Sequence, residues 1–264
     1  MMKLSALVVV HNEEERLAAC LERLGFADEI VVVLDKCTDG SKSIALRFTD
    51  RLVEGSWELE GPRRNTGIEA CRGEWIVEID ADEHVTPELA AELRAVTESS
   101  TVAYHEILVD NWIGSHLVRW GWGASFGKPA YPGLFRKGAK IWGNQRVHPS
   151  LTWTGEKGPR LASRLQHYVD RDISDMIRRF DRYSTARAKD LVESGDIGSG
   201  VHNVRRIVSR FFRCYVSRGG WREGGHGFLI ALFAALYPLV SYLKAKYDLS
   251  DVKSISSDIP DGPR

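Results

Sequence analysis

Cysteine is scarce: Cys20, Cys37, Cys71 and Cys214 are the four in 264 residues. Their wide spacing matches neither a metal knuckle nor a small disulfide scaffold, so reduced, packed thiols are expected. Charge of one sign is lacking too. Thirty-six Lys and Arg offset 36 Asp and Glu to a net charge of zero. With no dominant basic surface and no recognisable reading motif, the chain is not expected to bind nucleic acid. No GxxxxGK[ST] occurs, which argues against a P-loop nucleotide hydrolase. The opening Met1-Met2-Lys3-Leu4-Ser5 enters a strand without the long apolar region and cleavage site of a secretory signal, which places the functional face in the cytosol. The longest apolar run, 228–243, is short for a membrane-spanning helix, which needs about 20 residues.

What is present is an ordinary globular composition, 43% hydrophobic, with length for one large α/β domain or one domain with an appendage. Residues 4–10 are nearly continuous apolar and Val-rich, as a central strand covered on both faces requires. Asn12 followed by Glu15 reads as a capping-box-like start, and Leu17, Cys20, Leu21 and Leu24 continue at helical spacing to Gly25. A second buried strand, 30–34, ends in the polar loop Asp35 to Ser41. A helix over 41–48 and a short edge strand over 50–53 follow. The alternation predicts an α/β sheet with crossovers.

The centre of this pattern is the stretch 74–83, an apolar strand running into Asp80-Ala81-Asp82 and Glu83. In an extended strand, side chains two apart face the same way, so both carboxylates could reach one hard divalent cation. Open α/β sheets hold ligands at this carboxyl edge. The alternative is an acidic strand end that starts a turn, which carries no chemistry. Strand ends at His11, Asp35 and Asp80 could converge on one crevice. Before them, Gly61-Pro62-Arg63-Arg64-Asn65 leads into a helix; its arginines could face a diphosphate, or simply solvate a helix start. Thr86-Pro87 is a cap followed by proline in the first turn, and predicts a helix through Val96.

Further on, residues 102–109 read as a strand, and Trp120 and Trp122 in a glycine-rich stretch could stack on a sugar or fill a core. Leu134-Phe135 reads as a short strand. His148 could join a metal, contact phosphate, accept a proton, or be structural. Residues 160–193 read as one helix. Over 204–216, apolar Val204, Ile207, Val208, Phe211 and Phe212 alternate with Arg205, Arg206, Arg210 and Arg213. This pattern can pack on a core or lie on anionic lipid. The run 228–243 fits a buried helix pair or a re-entrant interfacial hairpin, and 250–264 is polar and predicted to lack stable structure.

The succession Ala6-Leu7-Val8-Val9-Val10-His11-Asn12-Glu13, Asp35-x-x-x-Asp39-Gly40-Ser41, Arg64-Asn65 and Asp80-Ala81-Asp82 resembles family 2 glycosyltransferases with a GT-A fold. Asn111-x-x-Gly114, Gly121-Trp122, Leu134-Phe135-Arg136-Lys137-Gly138 and Val147-His148 are more narrowly similar to bacterial lipopolysaccharide-core glucosyltransferases of the WaaE/KdtX type. The resemblance implies a GT-A nucleotide-diphospho-sugar transferase fold and a UDP-sugar donor, with UDP-glucose as the candidate, and inversion at the anomeric carbon. It implies that His11, Asn12, Glu13 and Asp35 line the base and ribose pocket with Arg64 near it. Asp80 and Asp82 would engage ribose and a diphosphate-bound Mg²⁺ or Mn²⁺. Two departures stand out: Lys36 follows Asp35 where the family commonly has a second aspartate, and Pro149 follows His148 where the narrower group has glutamate.

An inverting displacement needs a base beside the acceptor hydroxyl and positive charge at the leaving phosphate. His148 is the first candidate base, with Asp110 and Glu106 behind it. The expected organisation is a glycosyltransferase domain over 1–160, a helical appendage over 161–250 that could associate with a membrane, and a flexible tail over 251–264. The expected partners are a nucleotide-sugar donor and a glycolipid or glycan acceptor at the cytoplasmic face of the inner membrane, with peripheral attachment. The alternatives are a polyprenyl-phosphate glycosyltransferase and a non-catalytic nucleotide-sugar-binding scaffold.

Overall fold

A computed structural model describes residues 2–123, 127–145 and 149–249. The chain divides into two compact units. One comprises Met1–Trp112 and Pro129–Val169; the other comprises Ile113–Lys128 and Asp170–Arg264.

The first unit is built on β1 (Leu4–Val10), whose alternate residues serve two cores. Leu4, Ala6, Val8 and Val10 pack with Leu17, Cys20, Leu89 and Leu93 on one face, and Leu7 packs with Val31, Val33, Ile68 and Phe135 on the other. Two covered faces are why the strand reads as a continuous apolar run. Around it lie α1 (Leu17–Leu21), β2 (Glu29–Asp35), α2 (Ser41–Ala45), β3 (Leu52–Gly55), α3 (Glu60–Ala70), β4 (Trp75–Asp80), β5 (Glu83–His84) and α4 (Pro87–Ser99). As expected, Thr86 caps α4, its hydroxyl accepting from the Leu89 N–H at 3.2 Å. The long strand β6 (Tyr104–Ile113) and the short β7 (His116–Val118) come next, then β8 (Ala130–Arg136), β9 (Lys140–Trp142), β10 (Leu151–Trp153) and β11 (Arg164–Asp170).

The main sheet runs β3-β2-β1-β4-β8-β6-β11-β5, and β9 and β10 form a separate antiparallel pair. Strands β1, β2, β3 and β4 are parallel, and β8 joins β4 antiparallel. The strand order reverses at β1, so the crevice between the carboxyl ends of β1 and β4 is the position at which open α/β sheets bind ligands. Register brings these ends level: Val10 lies opposite Leu34, and Val9 opposite Asp80. This is an α/β, GT-A-like fold with a distinct C-terminal helical extension.

Two local expectations change. The Asn12 and Glu15 capping box does not form. Asn12 takes a left-handed backbone (φ 55°) and its side-chain oxygen accepts from the Thr38 N–H at 2.8 Å, so the helix starts only at Leu17. Residues Arg164–Asp170, expected as the start of a long helix, are strand β11, which pairs with β5. Helix α5 (Ile173–Ser194) begins after it, capped by the Asp172 carboxylate on the Asp175 N–H. Alternate burial of Leu165 and partners across the sheet outweighed a weak local signal.

The second unit is helical. Helices α5, α6 (Gly200–Phe212) and α7 (Gly224–Leu243) pack together, α7 burying Ile230, Ala231, Ala234, Ala235 and Tyr237. Buried Arg179 of α5 grips Asp170 through two bonds of 2.9 and 2.7 Å. The run Gly220–Asp248 is helical throughout and, by length and composition only, could cross a membrane; it exceeds the short apolar run expected. Of the two tryptophans weighed for sugar contact, Trp122 is buried and donates to the Val118 carbonyl, whereas Trp120 is exposed beneath the Arg222 guanidinium. All four cysteines are free, with Cys20, Cys71 and Cys214 buried and Cys37 half-buried.

Candidate active site

The carboxyl ends of β1, β2 and β4 and the start of α3 assemble one charged constellation. Asp35 closes β2 as a buried carboxylate. One oxygen accepts from the Trp57 N–H at 3.0 Å and the other from Arg63 at 2.9 Å. His11 stands beside it, with Nδ1 2.6 Å from the Asp35 carbonyl. A carbonyl only accepts, so Nδ1 carries a proton in this contact. Glu13 is held through its N–H by the Ser41 hydroxyl at 2.9 Å. His11, Asn12, Glu13 and Asp35 therefore share one corner, formed by the loops after β1 and β2.

Asp80 ends β4 and takes a 2.9 Å bond from Arg64, whose Nε donates to Glu60 at 2.8 Å. Burial disfavours the guanidinium charge, yet Asp80, Glu60 and Glu78 hold the Arg64 pKa well above its ordinary value. Arg64 also lies over the Trp142 ring, 4.9 Å from its centroid. Trp142 in turn is clamped to Asn65 both ways, the Asn65 amide donating to its carbonyl and accepting its N–H, each at 2.9 Å. This approach of α3 to β9 requires glycine at position 61, where a Cβ would fall 1.8 Å from the Gly143 carbonyl oxygen.

Beneath the strand end, buried Lys140 pairs with buried Glu78 under the rings of Trp142, Phe135 and Trp153. The Trp142 indole donates to the same carboxylate at 3.0 Å. The Tyr131 hydroxyl donates to the Glu78 carbonyl at 2.6 Å, and burial beside Glu83 and Asp80 raises its pKa well above the ordinary value.

Asp82 does not continue the strand. Ala81 and Asp82 form a turn before β5, so the shared face of an extended strand does not apply. Asp82 is met by Arg16 at 3.6 Å and by His167 Nε2 at 3.5 Å. His167 sits on β11 with Nδ1 2.9 Å from the Asn111 side-chain oxygen on β6. Sequence reasoning missed His167 because it was read as helix and stands alone in its segment. No group of three or more His, Cys, Asp or Glu that could hold a metal is found among the described residues. Magnesium sites of the phosphate-bridging kind use one or two carboxylates plus substrate oxygens instead of a full protein cage. The two carboxylates of Asp80 and Asp82 fit that donor set in type.

The three candidate bases fare differently. Glu106 lies between Lys157 at 2.8 Å and Arg160 at 2.9 Å. Its bond from Lys157, then Arg160, lowers its pKa despite some desolvation. Asp110 is buried on β6 and accepts from Arg164 at 2.6 Å. His148 lies outside the described residues.

Residues 5–119 match glycosyl transferase family 2. Over its length the chain is similar to the lipopolysaccharide core biosynthesis glycosyltransferase LpsC of Rhizobium meliloti (strain 1021), at 28% identity over 255 residues covering 92% of each chain. Among solved structures, S. aureus TarS residues 1–349 in complex with UDP aligns over 95% of this chain and 92% of that one, with TM-score 0.47 and 12% identity. Glucosyl-3-phosphoglycerate synthase from Mycobacterium tuberculosis, solved with Mn²⁺ and UDP-glucose, aligns over 42% and 44% with TM-score 0.36 and 18% identity.

Proposed function

We propose that the protein is an inverting glycosyltransferase that moves a hexose, glucose being the first choice, from a UDP-sugar to a lipopolysaccharide-core or related surface-glycan acceptor. The narrower kinship with WaaE/KdtX-type glucosyltransferases belongs to this reading. So does its place, peripheral to the cytoplasmic face of the inner membrane, where a lipid-linked acceptor is presented. The observation that carries it is the placement of Asp35 and Asp80 at the carboxyl ends of β2 and β4, the two strands that flank β1, each carboxylate fixed by an arginine of α3.

In this reading His11, Asn12, Glu13 and Asp35 hold the base and ribose. Arg64 orients Asp80 toward the ribose, and Asp82 with His167 faces the diphosphate. A bound Mg²⁺ or Mn²⁺ would supply positive charge at the leaving phosphate, held by the Asp80 and Asp82 carboxylates, with His167 beside Asp82. The chain's own part is orientation: fixed carboxylates cost no reorganisation when the sugar departs. The proton of the acceptor hydroxyl goes to His148, or to Asp110 if the Arg164 contact yields in the complex. Glu106 is the poorest of the three because two cations stabilise its charged form.

Calorimetry with UDP tests the donor site. Binding should tighten with Mn²⁺ in the wild type and lose that dependence in Asp82→Asn and His167→Ala. Affinity that ignores both metal and mutation would sink the assignment. Mass spectrometry of products from a panel of UDP- and GDP-sugars with isolated core glycans then identifies donor and acceptor.

A further inference from the structure

Glycosyl transfer leaves one surface of the helical unit without a role. In α6, Asn203 and, just beyond the helix, Cys214 are buried. The opposite side carries Val201, Val204, Val208 and Phe212 at spacings of three and four, and Val216 continues the row. Val201 is 82% exposed and Val208 74%. The stacked rings of Phe211 and Tyr215, 5.3 Å apart, adjoin exposed Phe228 and broaden the patch. A contiguous apolar row of this kind on a soluble surface marks an interaction site.

Charge identifies the partner. Residues 200–222 contain six arginines, Arg205, Arg206, Arg210, Arg213, Arg218 and Arg222, and no aspartate or glutamate. Arg210 and Arg218 turn to the carbonyls of Ala234 and Trp122 inside the unit. Helical spacing puts Arg205 at the edge of the apolar row and Arg206 and Arg213 along one flank. Arg222 lies 4.5 Å from the ring centroid of exposed Trp120 and 5.3 Å from that of exposed Trp221. Arginine beside indole is the combination that suits a headgroup layer, the ring at the boundary and the cation on phosphate.

We infer that α6 lies in the plane of an anionic phospholipid surface, its valines and Phe212 entering the acyl boundary and its arginines engaging headgroup phosphates. A second copy of the chain would bring arginine rows against each other. Helix α7, although the more hydrophobic, spends Ile230, Ala231, Ala234 and Ala235 on the interior of its own unit. The inference deepens the proposed peripheral placement by naming the face and the lipid charge, and rests on that reading for its biological sense.

The full-length protein is sedimented with vesicles of phosphatidylcholine alone and with phosphatidylglycerol added. Phosphatidylglycerol should raise the partition coefficient roughly tenfold or more, and added salt should reverse the gain. Val201→Glu/Val208→Glu should lower it by roughly tenfold. Arg205→Gln/Arg213→Gln, which leaves the apolar row intact, should lower it on anionic vesicles only, and covers the case in which the glutamate variant does not fold. Equal partition by wild type and both variants overturns the inference. So does a wild-type dimer that binds no vesicles and that Val208→Glu dissociates. UDP calorimetry on the same samples separates the two claims: vesicle binding with metal-independent UDP affinity would fail the donor site alone.

Discussion

The sheet unit and segment 200–222 of the helical unit treat charge in opposite ways. In the sheet unit the functional corner is a set of matched pairs: Asp35 with Arg63, Asp80 with Arg64, Glu78 with Lys140. In the helical segment six arginines meet no acid within their own stretch. Buried pairs cost desolvation and return position, so the matched set is what holds carboxylates still at a strand edge. Unmatched surface cations add little to folding, and their use lies in what arrives from outside.

The sharpest way to break this contrast is Lys140→Met. It strands the buried Glu78 carboxylate and should cost about 3–5 kcal/mol in denaturant unfolding, while Lys140→Met/Glu78→Gln should recover much of that loss. A single variant as stable as the wild type would remove the structural reading of the pair.

A smaller effect concerns Glu29, buried at the start of β2. Burial raises its pKa, but bonds from the Ser5 hydroxyl at 2.6 Å and from the Arg72 backbone and side chain outweigh that and hold it below the ordinary value. A depressed folded-state pKa gives stability that is present above the unfolded value, about 4.3, and lost as pH falls through and below it. Glu29→Gln should flatten the acid limb of the stability curve, and an unchanged slope would assign that limb to other carboxylates. Smallest of all, Arg205→Gln and Arg213→Gln should each shift unfolding by no more than about 0.5 kcal/mol. A larger loss would mean these arginines serve the fold.

The same contrast explains what was legible beforehand. The buried strands β1, β2 and β4 and the Thr86-Pro87 start of α4 announce themselves because apolar runs and caps are local signals. Asp35 and Asp80 were visible for the same reason, as acidic residues that close such runs. The Lys140 and Glu78 pair was not, since its members stand 62 positions apart and nothing local marks either. His167 was hidden by the misread strand β11, whose sequence Arg164-Leu165-Gln166-His167-Tyr168-Val169-Asp170 alternates too weakly to declare itself. Asp82 was expected to share a face with Asp80, and the turn at residues 81 and 82 gave it different partners.

Three of the four thiols are sealed in packed interiors, and burial lifts the Cys71 thiol to about 12 and Cys20 higher still. Cys37 alone is half-buried, two residues beyond Asp35, its sulfur 3.6 Å from the Val10 carbonyl. The fold thereby supplies a built-in reporter: one thiol at the rim of the proposed nucleotide corner, on which a fluorophore or an alkylation rate can register occupancy in the unmodified chain.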